Sequence, residues 1–136
     1  MLGHYQSRLM AREESVEETV PEYLVTNLDR GVVIATRVRI AGTSSERRKG
    51  LLNFEELPPG FGLWIAPCEA IHTFGMKIAL DALFLDGRFR VRKTVKNLIP
   101  RRFSVCISAA SVLEVEKGAI AVSGTEPGDR LEFQLL

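Results

Sequence analysis

The stretch Leu80-Asp81-Ala82-Leu83-Phe84-Leu85, then Asp86-Gly87, then Arg88-Phe89-Arg90-Val91-Arg92 most restricts what this chain can fold into. Asp-Gly between two runs of strand-forming residues marks a tight hairpin, because a type I′ turn needs positive φ at both central positions. A two-residue loop sets the register. It puts Leu85 opposite Arg88, Leu83 opposite Arg90 and Asp81 opposite Arg92. Directly opposed side chains stand about 4.5–5.5 Å apart at Cβ, so Asp81 and Arg92 are expected to form a cross-strand ion pair. On the other face Leu80, Ala82, Phe84, Phe89 and Val91 make an apolar row that turns toward a core.

β patterns continue in both directions. Tyr23-Leu24-Val25-Thr26-Asn27-Leu28 and Val32-Val33-Ile34-Ala35-Thr36 flank the turn Asp29-Arg30-Gly31, and Arg37-Val38-Arg39-Ile40 alternates polar with apolar. Gly62-Leu63-Trp64-Ile65-Ala66 reads as a strand closed by Pro67, and Ser111-Val112-Leu113-Glu114-Val115-Glu116 as another. Residues 119–123 look helical or turn-rich, and a strand over 130–135 follows the turn Glu126-Pro127-Gly128-Asp129. One segment is convincingly helical, residues 44–54. Thr43-Ser44-Ser45-Glu46 supplies a hydroxyl cap and an acid in the first turn, Arg47, Arg48 and Lys49 point outward, and Leu51 and Leu52 point inward. Short strands broken by Gly and Pro predict a mainly-β fold, a compact antiparallel barrel or sandwich with one short helix.

A chain of 136 residues is long enough to bury about two-thirds of its unfolded surface without a disulfide framework. Residues 23–136 are expected to form a single mainly-β domain. Residues 1–22, dense in charge at Glu13, Glu14, Glu17 and Glu18 and stopped by Pro21, are expected to be a loosely ordered N-terminal arm. The formal net charge of +1 gives no global attraction to nucleic acid or an anionic membrane. No apolar run reaches the roughly 18 residues of a membrane span. The first residues lack the basic patch and apolar core of a signal peptide, so a soluble protein in a bacterial-type cytoplasm is expected. There, Cys68 and Cys106 are expected as reduced thiols.

Chemistry concentrates in Cys68-Glu69-Ala70-Ile71-His72-Thr73-Phe74-Gly75-Met76, shortly before Asp81. Polar groups among apolar neighbours cost free energy unless they find partners. His72, Thr73, Met76, Asp81 and Arg92 are therefore taken as the lining of a groove. The expected function is a binding or interaction module for a small anionic ligand or a partner protein. A second reading is a thiol- or metal-dependent enzyme in which His72 works with Cys68 or Cys106. Against it, Cys-x3-His is not a strong metal spacing and no second ligand lies beside Cys106, so neither a metal nor a cofactor is expected. No Gly-x-Ser-x-Gly, Walker or Gly-x-Gly-x-x-Gly pattern occurs, so no catalytic residue is assigned. A third reading is an accessory subunit that assembles through its sheet edges.

The basic residues Arg88, Arg90, Arg92, Lys93, Lys96, Arg101 and Arg102 have no acid among them. Aromatic residues are sparse there, with Phe89 on the other face and Phe103 alone, so nucleic acid is not expected as a partner. The arginine stems are instead expected to lie over Leu83 and Leu85, offset by Glu114 and Glu116 on a neighbouring strand. Neither the ligand nor the oligomeric state is legible in the sequence.

Several segments together resemble the domain-of-unknown-function 192 family, also called uncharacterised protein family 0127. They are Glu46-Arg47-Arg48-Lys49-Gly50-Leu51-Leu52, Leu63-Trp64-Ile65, Ile71-His72-Thr73-Phe74-Gly75-Met76, and Asp81 with Phe84-Leu85-Asp86-Gly87-Arg88. Val112-Leu113-Glu114-Val115 with Gly118, and then Pro127-Gly128-Asp129-Arg130-Leu131, complete the set over about residues 40–133. The resemblance implies a compact mainly-β barrel or sandwich with a short helix, and it carries a shape and a region of interest rather than an activity. Many relatives resemble exported or membrane-anchored proteins, whereas the first residues of this chain are not expected to act as a leader. Leu52 stands where relatives often show Met, a volume-conserving exchange.

Overall fold

A computed structural model describes residues 20–136, so most of the expected N-terminal arm, residues 1–19, lies outside the described residues. The first hairpin forms where its pattern places it. Strand β1 (Tyr23–Asn27) runs antiparallel to β2 (Val32–Ala41), with Asn27 opposite Val32. Asn27 organises the reversal. Its side-chain oxygen accepts from the N–H groups of Asp29 and Arg30, each at 3.1 Å, and Gly31 N–H donates to its carbonyl at 2.9 Å.

Helix α1 (Ser44–Lys49) begins with a reciprocal cap. Thr43 Oγ1 accepts from Glu46 N–H at 3.1 Å, and Glu46 Oε1 accepts from Thr43 N–H at 3.0 Å. The helix stops at Lys49 rather than Phe54, because Gly50 takes φ 46° and returns its N–H to Glu46 O. Leu51, 1% exposed, enters the core from the following turn. Strand β3 (Phe61–Ile65) then lies parallel to β2, with Val38 beside Gly62 and Ile40 beside Trp64. An all-antiparallel fold does not anticipate this pairing. Residues 42–60 are long enough for the crossover that parallel neighbours require. Gly60 closes that connection at φ 77°, with its carbonyl accepting from both Thr36 and Arg37 N–H, so close to Thr36 Oγ1 that a Cβ would collide with it.

The remaining elements are β4 (Ala70–His72), β5 (Leu80–Leu85), β6 (Val91–Leu98), β7 (Phe103–Val105), β8 (Ser111–Glu116), α2 (Ala119–Ser123) and β9 (Leu131–Leu135). A seven-stranded sheet in the order β6-β5-β8-β3-β2-β1-β9 curls into a half-barrel, and β4 and β7 form a separate two-stranded ribbon. An Arg90–Arg130 bridge draws the two ends of the sheet toward each other. The fold is mainly β, as expected, and among the described residues α2 adds a second short helix in the segment that reads as helical or turn-rich.

The sheet is buried on both faces at its centre. Leu83, Leu85, Leu113, Val115 and Ile120 pack into one core, and Leu80, Ala82, Phe84, Val112 and Leu51 into the other. Every residue of β5 is buried, so Leu83 and Leu85 are core and not the bed of an arginine row.

The Asp86-Gly87 hairpin forms, but not as a two-residue turn. Leu85 lies opposite Val91 rather than Arg88, Leu83 opposite Thr94 rather than Arg90, and register shifts follow at both ends of β5. The cause is Asp86 itself. Its Oδ1 accepts from Arg88 N–H at 2.8 Å and Arg90 N–H at 3.0 Å, while its own backbone N–H donates to Arg90 O at 3.0 Å, which builds a longer loop. Phe89 adopts φ 62° within that loop, and its ring lies 5.6 Å from Trp64 and 5.2 Å from Phe133. Burial of the Phe89 ring in this aromatic cluster overrides the local preference for the tighter turn.

Candidate functional site

The slipped register separates Asp81 from Arg92. Asp81, 1% exposed, accepts through Oδ1 from Asn97 N–H at 2.9 Å, and through Oδ2 from Gly118 N–H at 3.2 Å and Ile120 N–H at 3.0 Å. It ties the irregular end of β6 to the start of α2, with its carboxylate fully occupied by backbone donors. Arg92 is exposed and donates to Ser108 Oγ at 3.3 Å. The expected Asp81–Arg92 ion pair does not form, and neither residue lines the opening that holds His72 and Met76.

Thr73 is also fully enclosed. Its hydroxyl donates to Ile99 O at 2.7 Å and accepts from Arg102 N–H at 2.8 Å, fastening the end of β4 to the turn before β7. Of the five residues expected to line a groove, His72 and Met76 do meet in an opening, one of about 350 Å³ between α1, the end of β3 and β4. Such a volume falls in the range of small-molecule sites. Leu51, Leu52, Ile65 and Met76 supply apolar wall, Arg47 and Lys49 stand on the helix side, and Cys68, Glu69 and His72 line the ribbon side.

Glu114 also lines this cleft. It sits in the central strand β8, with Leu63 opposite on β3 and Ala82 opposite on β5, and it is 3% exposed. No group among the described residues donates a hydrogen bond to its carboxyl, and burial pushes its pKa up to about 7. Glu114 was expected to offset the arginines of β6. The strand order places β5 between β8 and β6, and the side chain points into the cleft instead. The sequence did carry a signal for it, an acid in the apolar run Val112-Leu113-Glu114-Val115 of a strand with neighbours on both sides.

The two cysteines are free. The Cys68 thiol donates to Ala70 O at 3.1 Å, and burial pushes its pKa above the usual thiol range. Cys106 lies 3.5 Å from Ser108 Oγ, and its backbone N–H donates to Glu69 O at 2.8 Å. Among the described residues no group of three or more His, Cys, Asp or Glu is arranged to hold a metal ion. No helix among them is long and apolar enough to cross a membrane.

A curled mainly-β half-barrel with a ligand-sized cleft beside its small ribbon is the class of protein these features define. The chain belongs to the DUF192 family, described as an uncharacterized ACR, whose model matches residues 25–133. Among solved structures it is similar to a Sinorhizobium meliloti 1021 protein described as a candidate transcription regulator. The identity is 25% and the TM-score 0.73, over 83% of this chain and 92% of that one. It is also similar to a protein of unknown function from Novosphingobium aromaticivorans DSM 12444, with 28% identity and a TM-score of 0.70 over 82% of this chain and 83% of that one. No curated protein matches the chain.

Proposed function

We propose that this protein is a binding module, with residues 23–136 as its single domain, that holds a small molecule bearing an acidic group in the Glu114 cleft. One observation carries the reading: a buried carboxyl group, without a donor among the described residues, faces an opening of about 350 Å³. The protein itself offers this carboxyl no donor, so its partner has to come from the cleft, and a ligand that reaches it there can supply one. With its pKa near 7, Glu114 is protonated below neutral pH and donates its O–H to the ligand instead of repelling an anion. Arg47 and Lys49 supply the opposite charge, and the Leu51, Leu52, Ile65 and Met76 walls suit an apolar body. His72 and Met76 thus remain ligand-lining residues.

Binding is favoured over thiol chemistry because burial raises the Cys68 pKa and leaves little thiolate at neutral pH. Two free thiols suit work in a reducing cytoplasm. A ligand-holding domain is also compatible with the regulatory description given to the S. meliloti neighbour. The test is calorimetric titration with a panel of aromatic and branched aliphatic monocarboxylates. Binding is expected at pH 6, weaker at pH 8 where Glu114 ionises, and lost in Arg47→Ala. Absence of any binder, or affinity indifferent to both Arg47→Ala and Glu114→Ala, refutes the reading.

A further inference from the structure

The ribbon face that carries His72 at the rim of the cleft continues across to β7 as an exposed patch. Phe103 is 65% exposed, Phe74 54% and Val105 43%. His72, also exposed, lies opposite Phe103 in the ribbon, and its ring is 5.9 Å from that of Phe74. Exposed rings gathered in one place are unusual on a surface with no partner for them.

Cations stand at both ends of β7. Arg101 and Arg102 precede it, while beyond it Arg92 donates to Ser108 and Lys93 Nζ donates to Val105 O at 3.0 Å. Among the described residues none of these four forms an ion pair, although Arg30, Arg37, Arg39, Lys77 and Arg130 all do. Glu69, whose carbonyl accepts from Cys106 N–H, is the acid at this margin.

We propose that this exposed face of the β4–β7 ribbon binds single-stranded nucleic acid, with bases stacking on Phe103 and Phe74 and phosphates meeting Arg101, Arg102 and Arg92. Flat exposed rings flanked by guanidinium groups with no acidic partner among the described residues are the two parts such a surface needs, a stacking platform and an electrostatic track. An acidic peptide would answer the cations but offers no flat group to the rings. A duplex hides the faces of its bases. Among the described residues the ribbon strands have only three residues each and the helices six and five, too short to fill a major groove. Sequence pattern alone missed the platform because Phe74 and Phe103 are far apart in the chain, and only the pairing of His72 with Phe103 brings them to one ribbon.

The experiment is fluorescence anisotropy of the full chain with labelled oligo(U) and oligo(dT) of about a dozen nucleotides, in the range single-strand-binding folds cover. Binding is expected to weaken steadily with salt. Phe103→Ala, at an exposed position that leaves the core intact, is expected to weaken it by about 5- to 150-fold, as loss of one stacked base does. Arg101→Ala and Arg102→Ala are each expected to lower the log–log salt slope by about 0.7, the value for one single-strand phosphate contact. No binding at low salt overturns the proposal. So does equal competition by duplex or by poly-glutamate, and so does salt-dependent binding that Phe103→Ala leaves at full strength, which would be charge attraction without stacking.

Discussion

Asp81 and Glu114 lie on adjacent strands, both buried, and their surroundings could hardly differ more. Asp81 accepts three backbone N–H bonds, whereas no described residue donates to Glu114. Asp81→Asn keeps the volume but turns one end of the group into a donor facing donors. The expected cost is about 2 kcal/mol, in the range for an unsatisfied buried group, and urea unfolding reads it. Glu114→Gln should act in the other direction, and only at higher pH. With a folded pKa of about 7 against 4.5 unfolded, wild type and unfolded chain are both protonated below pH 4.5. Between those values the unfolded chain ionises first, so wild-type stability falls as pH rises. Above pH 7 the penalty levels off at about 3 kcal/mol, because each tenfold change in an acid's dissociation constant is worth about 1.4 kcal/mol. The Gln variant should therefore be more stable than wild type at pH 8 and no more stable at pH 4.5. Thermal unfolding at the two pH values checks this, and an advantage of equal size at both would deny Glu114 its raised pKa.

At the scale of elements, β1, β2, β3, β5, β8 and β9 and the start of α1 were legible because their signals are local: alternation, a hydroxyl cap, Gly and Pro at the ends. The β5–β6 register was not. It depends on how the Asp86 carboxylate gathers the N–H groups of Arg88 and Arg90, and on where the Phe89 ring finds burial, which a two-residue turn signature does not encode. Losing that register removed Asp81 and Arg92 from the expected groove. His72 and Met76 stayed beside an opening because the run carrying them was identified by its polar content and not by pairing. Asp86→Ala should release two N–H bonds and loosen the loop, costing about 1 kcal/mol. Because Phe89 packs on Trp64, the sole tryptophan, the native fluorescence of the variant should shift as well. A stability loss without any change in that emission would mean the loop holds Phe89 without help from Asp86. Thr43→Ala, which removes half of the reciprocal cap on α1, should cost about 1 kcal/mol. It should also weaken any ligand that depends on Arg47, since the same helix carries that side chain to the cleft.

Across the whole molecule, charges buried at two distant places set opposing pH limbs. Asp129 Oδ2 accepts from Arg30 Nε at 2.7 Å, Asn27 Nδ2 at 3.0 Å and Glu126 N–H at 3.0 Å. Asn27 also donates to Thr125 Oγ1 at 3.0 Å, so the cluster joins the β1–β2 turn to the loop before β9. Against the cost of burial, Arg30 and the Asn27 and Glu126 donors hold the Asp129 pKa down to about 2, from 3.8. A depressed carboxyl stabilises the fold above its unfolded pKa, and that contribution is lost as pH falls from about 4 through 2. Glu22, Glu46 and Asp86 are held below their ordinary values too and steepen the same limb. Glu114 acts on the other side, lowering stability from about pH 4.5 to 7. The melting temperature of the wild-type chain should thus peak between about pH 4 and 5, below the neutral range where many proteins are most stable. Glu114→Gln should carry the plateau up toward neutrality, and Asp129→Asn should flatten the acid side by starting from a lower stability. A wild-type maximum at neutral pH that Glu114→Gln fails to move would show that Glu114 is already satisfied in the folded chain, and the cleft would lose the unmet group that marks it for a ligand.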